Sequence, residues 1–577
     1  MADAKPYKPH RPAVMGARHM VAAGHHMAAQ AGLAVLEAGG NAIDAGVATG
    51  LATSVLESER VGLASVAPIM VYLAASREVM TVSGLGPWPK AASCDYFIRN
   101  HDGHIPANLM CTVVPGSPDA WIVALERWGT MSFGEVASAA IRLARDGFPM
   151  YHHFSRILKQ KTESLAKRPD SARIFLPGGK APETGDIFVQ SDFGRVMQHM
   201  ADEERAAANK GRSAGLAAAR DAFYKGDIAR TVDAYFRDSD GWLTYDDLAA
   251  YTSDVEPALH RRFAGADVYA CGPWCQGPML LEILSLLDAY DLKSYGHNSR
   301  DYIHLIAEAI KLAAADREAF IGDPKFVDVP LDTLLSSTYA TQRRKLIRPN
   351  EAWADMPPAG KISSSSGKRG SKTSVGRGAE RESALDTSYM CVVDRQGNAF
   401  SATPSDGCMR TPVVPGTGLS MSCRGLQSWA DPDHPASVAP GKRPRMTPNP
   451  AFAILDGGRI MPFGSPGGDV QTQTMTQILI DIAVFGMDPQ SALEMPRFAS
   501  FSYPGSFEPH ECQPGTLKLE PGIGEKIGNE LGAFGHDVQW WPERAAPAGS
   551  ACVILREANG TLIGGADPRR VAYAVGW

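Results

Sequence analysis

Residues 384–405 read ALDTSYMCVVDRQGNAFSATPS, and this stretch decides how the chain is built. Tyr389 to Val393 is a short apolar run of strand-forming residues, and Ala399 to Thr403 is a second. The five residues between them open on Asp394 and carry Gly397 late, where a positive φ is tolerated, so the two runs fold into a hairpin. Folding about Gln396 and Gly397 brings residues near 405 opposite residues near 387, to within a register step. Ser405 thereby becomes a neighbour of Thr387, and its hydroxyl can hydrogen-bond a nucleophile placed there.

What precedes the hairpin is of another kind. Residues 357–383, PPAGKISSSSGKRGSKTSVGRGAERES, contain almost nothing that could be buried. Such a stretch cannot repay the entropy of being ordered and reads as a flexible segment. It stops at Ala384-Leu385-Asp386-Thr387, where strand-like sequence begins. A tether delivered to the edge of a packed element suits backbone cleavage between Asp386 and Thr387, and it suits an ordinary linker equally well.

Downstream, Ala451 to Leu455 reads as a strand, Asp456-Gly457-Gly458 as a turn and Arg459 to Phe463 as a return strand. Gly464-Ser465-Pro466-Gly467-Gly468-Asp469 follows and leads into a helical run from about Val470 to Val484. Adjacent glycines let backbone amides approach a bound group, and at a helix N-terminus such amides can oppose an anionic oxygen. The loop lacks the Lys-Ser/Thr ending of a nucleotide loop, and by itself it is also a plain tight turn.

Upstream, residues 22–37 have helical density with a stop at Gly39-Gly40, and a second helix runs from near Asn41 to Leu56. Residues 67–75 read as a buried strand and 134–148 as a helix. Residues 299–320 form the clearest helix: Ser299 can cap it, and Ile303, Ile306, Ala307, Ile310 and Ala313 recur at helical spacing. Its Asp301, Glu308 and Asp316 are assigned solvated or structural roles.

The 577 residues are 44% hydrophobic and 21% charged, with a formal net charge of −6 and no basic block. Disorder throughout is excluded, and nothing points to a nucleic-acid or anionic membrane partner. The polar, proline-rich first residues lack the apolar core of a secretory signal, and the apolar stretch 41–56 is interrupted by Asp44 and Glu57, so a cytoplasmic protein is expected. Cys271 and Cys275, the close pair among nine cysteines, read as core or loop residues. His25-His26 and His152-His153 lack zinc-site spacing; neither metal nor cofactor is expected.

AGLAVLEAGGNAIDAGVA at 31–48, VPGSPDAW at 114–121, LARDGFPM at 143–150, the long run 290–330, the hairpin 387–403 and the GSPGGD loop, in this order, resemble the gamma-glutamyltransferase family of N-terminal nucleophile hydrolases over nearly the full length. The resemblance implies an α+β fold, a four-layer αββα sandwich built from two fragments of one precursor: a large fragment 1–386, ending in the flexible segment 357–383, and a small fragment 387–577. It implies autocatalytic cleavage at Asp386-Thr387, with Thr387 as the nucleophile, Ser388 the hydroxyl residue after it, Ser405 its support and Gly467-Gly468 the oxyanion pair.

Substrate recognition departs from the family. The stretch 82–89, VSGLGPWP, lacks the arginine expected there for a glutamyl α-carboxylate, and Leu426-Gln427 stand where paired aspartates read the α-amino group. Pro444-Arg445 replace a serine pair, Gly407 an asparagine and Tyr389 a histidine. Ser388, Tyr389, Arg410, Arg445 and Trp88 are the candidates for a changed substrate pocket. The expectation is an autoprocessing amidohydrolase cleaving a non-glutamyl amide or N-acyl bond of a small molecule through an acyl-Thr387 intermediate. A gamma-glutamyltransferase with rearranged recognition is the enzyme alternative, and an unprocessed binding or structural protein the other. The fragments are expected to stay assembled, with higher homo-oligomers left open.

Overall fold

The computed structural model describes residues 9–362 and 386–577. The hairpin sits at the centre: Met390–Val393 and Ala399–Ala402 pair antiparallel, Met390 opposite Ala402, with Gly397 at φ 87° in the turn. It is inserted between strands of the upstream half. Met390 pairs with Ala23 on one side and Ala402 with Ile69 on the other. The resulting sheet runs Tyr573–Gly576, Met20–Ala23, Met390–Val393, Ala399–Ala402, Ile69–Leu73, Glu78–Val82 and Val255–Pro257. A second seven-stranded sheet runs Val14–Gly16, Leu562–Ala566, Cys552–Arg556, Arg459–Gly464, Ala451–Leu455, Ala266–Ala270 and Leu259–Phe263.

Period-two alternation sorts the side chains into layers. Met20, Ala22, Cys391 and Val393 point inward against Phe452, Ile460, Cys552 and Ile554 of the second sheet, and Tyr72 stacks on Phe452 with ring centroids 4.7 Å apart. Their alternates Val21, Ala23, Met390, Val392 and Phe400 face helices His26–Glu37 and Ala42–Leu56. On the far side Ala453, Met461, Phe463, Val553 and Leu555 pack against helices Gly277–Leu287, Arg300–Phe320 and Gln471–Ala483. Helix, sheet, sheet, helix is the four-layer αββα sandwich expected from the sequence.

Helix Ala42–Leu56 is buried at every position, so its sequence carries no polar face, and Asn41 caps it by accepting from Ile43 and Asp44. Two boundaries move. The helix expected from residue 22 begins at His26, because Met20–Ala23 is a central strand whose alanines fit between the layers. Of the expected flexible segment, residues 357–362 are packed: Gly360 N donates to Asp316 Oδ1 at 2.7 Å, and Ala359 and Ile362 lie against Phe320, Ile321, Leu334 and Tyr339. Its remainder, 363–383, lies outside the described residues. Among the described residues no helix is long and apolar enough to cross a membrane.

Candidate active site

Thr387 lies just before the first hairpin strand and Ser405 just after the second, and the two form an isolated antiparallel bridge. Thr387 Oγ1 is 2.7 Å from Ser405 Oγ, and Ser405 Oγ donates to the Asp386 carbonyl at 2.6 Å. That carbonyl also accepts the Asp406 amide at 3.2 Å. Asp406 holds φ 83°, left-handed backbone that a non-glycine residue adopts at a cost, and this conformation belongs to the residue whose amide meets the carbonyl. One hydroxyl and one amide thus polarise the bond before Thr387.

Behind Ser405 stands Arg424, fully buried. It donates through Nη2 to Ser405 Oγ, pairs through Nε with Asp406 Oδ1 at 2.7 Å, and reaches Asp386 Oδ2 at 3.3 Å. Burial alone would lower the guanidinium pKa; Asp386 and Asp406 outweigh it and hold it above the ordinary value. Burial pushes the Asp406 carboxyl up, with Arg424 opposing. Arg410 Nε lies 3.9 Å from Asp386 Oδ2, and both guanidiniums sit 5.0 Å from the Phe507 ring centroid.

A second buried polar cluster holds the other side of Thr387. Arg570 Nη1 donates to the Thr387 carbonyl at 2.9 Å, and Ser388 Oγ donates to Glu57 Oε2 at 2.6 Å, itself paired with Arg60 at 2.7 Å. Burial, then the neighbouring Arg60, lower the Arg570 pKa to about 9. Burial pushes Glu59, which accepts from Tyr151 OH at 2.5 Å, up to about 7.

The glycine loop is anchored from both ends. Gly464 ends its strand against the Tyr389 ring, where a β-carbon would fall 2.3 Å from Cε2. Gly467 and Gly468 take φ 132° and 58°, and Asp469 after them accepts from Arg317 Nη1 and Ser506 Oγ, both at 2.6 Å. We expect Gly464→Ala to overpack this contact and cost about 1–3 kcal/mol, read as a lower midpoint of thermal or denaturant unfolding. An unchanged midpoint would show that Tyr389 yields freely.

Thr387, Ser405 and Asp386 therefore come together, with Ser388 and Arg410 around them. Three of the candidates for a substrate pocket have their polar groups engaged inside the core. Tyr389 points into the inter-sheet core, with its hydroxyl 2.7 Å from Ser401 Oγ. Trp88 is buried with Phe97 and Leu426 and donates to Ser428 Oγ at 2.9 Å. Arg445 is consumed by Glu318 Oε1 at 2.7 Å and the Arg317 carbonyl at 2.9 Å, and burial lowers its pKa to about 10. In each case a large polar-tipped side chain finds partners inside the core, Arg445 through its Nη atoms with its Nε left unbonded. Gly407 also has a packing reason, because a β-carbon there would lie 2.0 Å from the Glu59 carbonyl oxygen.

The sequence reading missed Arg424, Arg570 and Glu57. The signal available for the last was LESER at 56–60, a charged run closing an otherwise apolar helix. Among the described residues two groupings have ligand-like spacing, Asp386-Asp406-Cys423 and His304-Glu308-His536. Each already holds a cation of the protein: Arg424 in the first, and in the second Lys311, whose Nζ lies 2.8 Å from Glu308 Oε1. Asp301 is solvated beside Arg300, and Asp316 pairs with Arg343 at 2.9 Å.

With this geometry in hand, comparison with known proteins is informative. A family model described as gamma-glutamyltranspeptidase matches residues 28–577. The glutathione hydrolase-like YwrD proenzyme of Bacillus subtilis is 31% identical over 565 residues, covering 98% of this chain and 99% of the relative. The acylase ACY 1 proenzyme of a Pseudomonas species is 30% identical over 564 residues, covering 96% and 92%. The crystal structure of cephalosporin acylase from Bacillus halodurans superposes with a TM-score of 0.84 at 28% identity, covering 100% of this chain and 99% of the other.

Proposed function

Because the chain belongs to the gamma-glutamyltranspeptidase family, we propose that it cuts itself between Asp386 and Thr387 and then works as a threonine amidohydrolase on a non-glutamyl amide or N-acyl bond. The observation that carries this reading is the contact of Thr387 Oγ1 with Ser405 Oγ at 2.7 Å, with the same Ser405 hydroxyl on the Asp386 carbonyl at 2.6 Å.

In maturation Thr387 Oγ1 attacks the Asp386 carbonyl, a C–O bond forms, the Oγ1 proton passes to the Thr387 nitrogen, and the C–N bond breaks to leave an ester and a free α-amine. Ser405 Oγ accepts the hydrogen bond of the attacking hydroxyl, while its own proton and the Asp406 amide oppose charge on the carbonyl oxygen. Water then cleaves the ester, leaving a carboxylate on Asp386 and the free Thr387 hydroxyl beside its α-amine. An α-amine titrates near about 7.7–8.0, so a useful fraction is neutral at physiological pH and can take the Oγ1 proton during attack on substrate. The Arg570 guanidinium, bonded to the Thr387 carbonyl, adds positive charge near the amine, which favours its neutral form. The Gly467 and Gly468 amides oppose the oxyanion of the tetrahedral intermediates that form and break the acyl-Thr387 ester. The large fragment 1–386 and the small fragment 387–577 remain assembled.

The non-glutamyl assignment rests on recognition. Leu426 is core, Gln427 donates to Thr447 Oγ1 at 2.9 Å, and Arg445 is taken by Glu318, so none of them reads an amino acid. An α-ammonium or α-carboxylate left without a partner in this interior costs several kcal/mol, an order-of-magnitude figure for buried ions. A reducing, cytoplasmic setting is part of this proposal and suits the scattered, mostly buried cysteines.

The experiment is a panel of acyl p-nitroanilides and small amides with the cleaved protein, followed by mass spectrometry of the small fragment. The expected result is an acyl adduct on Thr387 from at least one non-glutamyl donor and poor, unsaturated release from the γ-glutamyl anilide. Efficient, saturable γ-glutamyl release would replace the assignment with a gamma-glutamyltransferase.

A further inference from the structure

We propose that Asp469 and Ser506 form a latch that aims the Gly467 and Gly468 amides, and that this latch serves turnover and not self-cleavage. Both are positioning residues, acting through the glycines. The inference rests on the reading of Thr387 as nucleophile and of the glycine amides as oxyanion donors, and goes beyond it by assigning what holds those donors in place.

Two adjacent glycines at φ 132° and 58° have little stiffness of their own. An amide that swings gives no preorganised stabilisation, so its direction has to be imposed by the residues around it. Asp469 imposes it from the downstream side. Its carboxylate takes two bonds from one residue: the Ser506 amide donates to Oδ2 at 2.9 Å and the Ser506 hydroxyl to Oδ1 at 2.6 Å. A two-point grip fixes the plane of the carboxylate as well as its place. Arg317 Nη1 donates to Oδ1 at 2.6 Å, and its Nη2 donates to the Pro504 carbonyl at 2.8 Å. One guanidinium thus ties the glycine loop to the segment that carries Ser506. The Asp469 carbonyl is held as well, by Tyr503 OH at 3.1 Å and Gln473 Nε2 at 3.2 Å. Asp469, Ser506 and Arg317 are all buried, where such bonds gain strength from the low local dielectric.

The two reactions of Thr387 call on different donors. Self-cleavage places charge on the Asp386 carbonyl oxygen, which Ser405 Oγ and the Asp406 amide meet. Turnover places it on the substrate's carbonyl oxygen, which the glycine amides oppose. Loosening the latch therefore slows the second reaction alone, whereas a general loss of packing slows both. Ser506 is the place to loosen it, because truncation to Ala removes the hydroxyl and leaves the Ser506 amide and the Arg317 pair on Asp469.

The test compares Ser506→Ala with the wild type in two rates: the appearance of the two fragments on denaturing electrophoresis, and steady-state release from the fastest p-nitroanilide of the acyl panel, glutamyl or not. The variant is expected to cut itself within about twofold of the wild-type rate, the scatter of a neutral substitution. Its kcat and kcat/KM should fall together by about tenfold, a part of the hundredfold or more lost with an oxyanion donor itself. Equal slowing of both reactions, or a variant that fails to fold or to cut itself, would make the latch a structural element and overturn the inference. Unchanged turnover overturns it too. Turnover of the γ-glutamyl anilide alone, with the same split between the two rates, upholds the latch and overturns only the non-glutamyl assignment. Absence of any Thr387 adduct in the wild type overturns both.

Discussion

Thr387→Ala is expected to remain one chain of 61.7 kDa on denaturing electrophoresis, whereas the wild type yields two fragments, and to lose turnover by about a thousandfold or more. The reason is chemical economy. In the proposed mechanism the oxygen that breaks the Asp386 bond is the one that receives the acyl group, and the amine that serves as base exists only after the break. Removing Oγ1 removes all three. Ser405 cannot substitute, since its hydroxyl is already directed to the Asp386 carbonyl and receives Arg424. Thr387→Ser keeps the oxygen and should mature. Cleavage persisting after Asp386 in Thr387→Ala would falsify self-processing and assign the cut to another protease.

The second large effect is at Arg424. Replacing it by Met leaves Asp406 without its Nε partner, and Ser405 and Asp386 without Nη2. Breaking one partner from a buried ion pair costs roughly 3–5 kcal/mol, far more than an exposed pair. The loss should be measured in a Thr387→Ala background, so that stability is compared between uncut chains. In the Thr387-containing protein the same change should slow maturation, because Ser405 is left without the guanidinium that holds its oxygen. Lys at 424 restores charge but not the two-pronged reach, and should recover stability in part. A Met variant within 1 kcal/mol of its parent, maturing at the wild-type rate, would show that Arg424 is a bystander (a threshold set by the ordinary scatter of roughly 0.5 kcal/mol for neutral substitutions).

Why one half of the site was readable and the other was not is a matter of range. The Thr387–Ser405 contact is carried by a hairpin, whose register follows from local alternation and a turn, and it appears as expected. The glycine loop and the helix after it are likewise local. Glu57 meets Ser388 across 331 residues and Arg570 meets Thr387 across 183, distances over which no periodicity acts. The candidates whose polar groups turn into the core differ from the expectation for another reason. Tyr389, Trp88 and Arg445 are amphipathic, and sequence alone does not say whether the polar tip faces a ligand or a core partner. Ala22 and Ala23 fall within the expected helix because alanine suits both elements, and their place in a central strand, between the second sheet and the helices, overrides the preference.

The placement of the hairpin between Met20–Ala23 and Ile69–Leu73 sets how the cut protein can be lost. A cut between Asp386 and Thr387 would leave every backbone pairing across that sheet in place, so the native molecule need not change shape. The unfolded state does change: one chain becomes two. Recovery from denaturation turns from a first-order event into an encounter between separate polypeptides, dependent on concentration and open to competing aggregation. Maturation at this junction would thus be a one-way commitment, with the finished enzyme persisting by resisting unfolding rather than by repairing it.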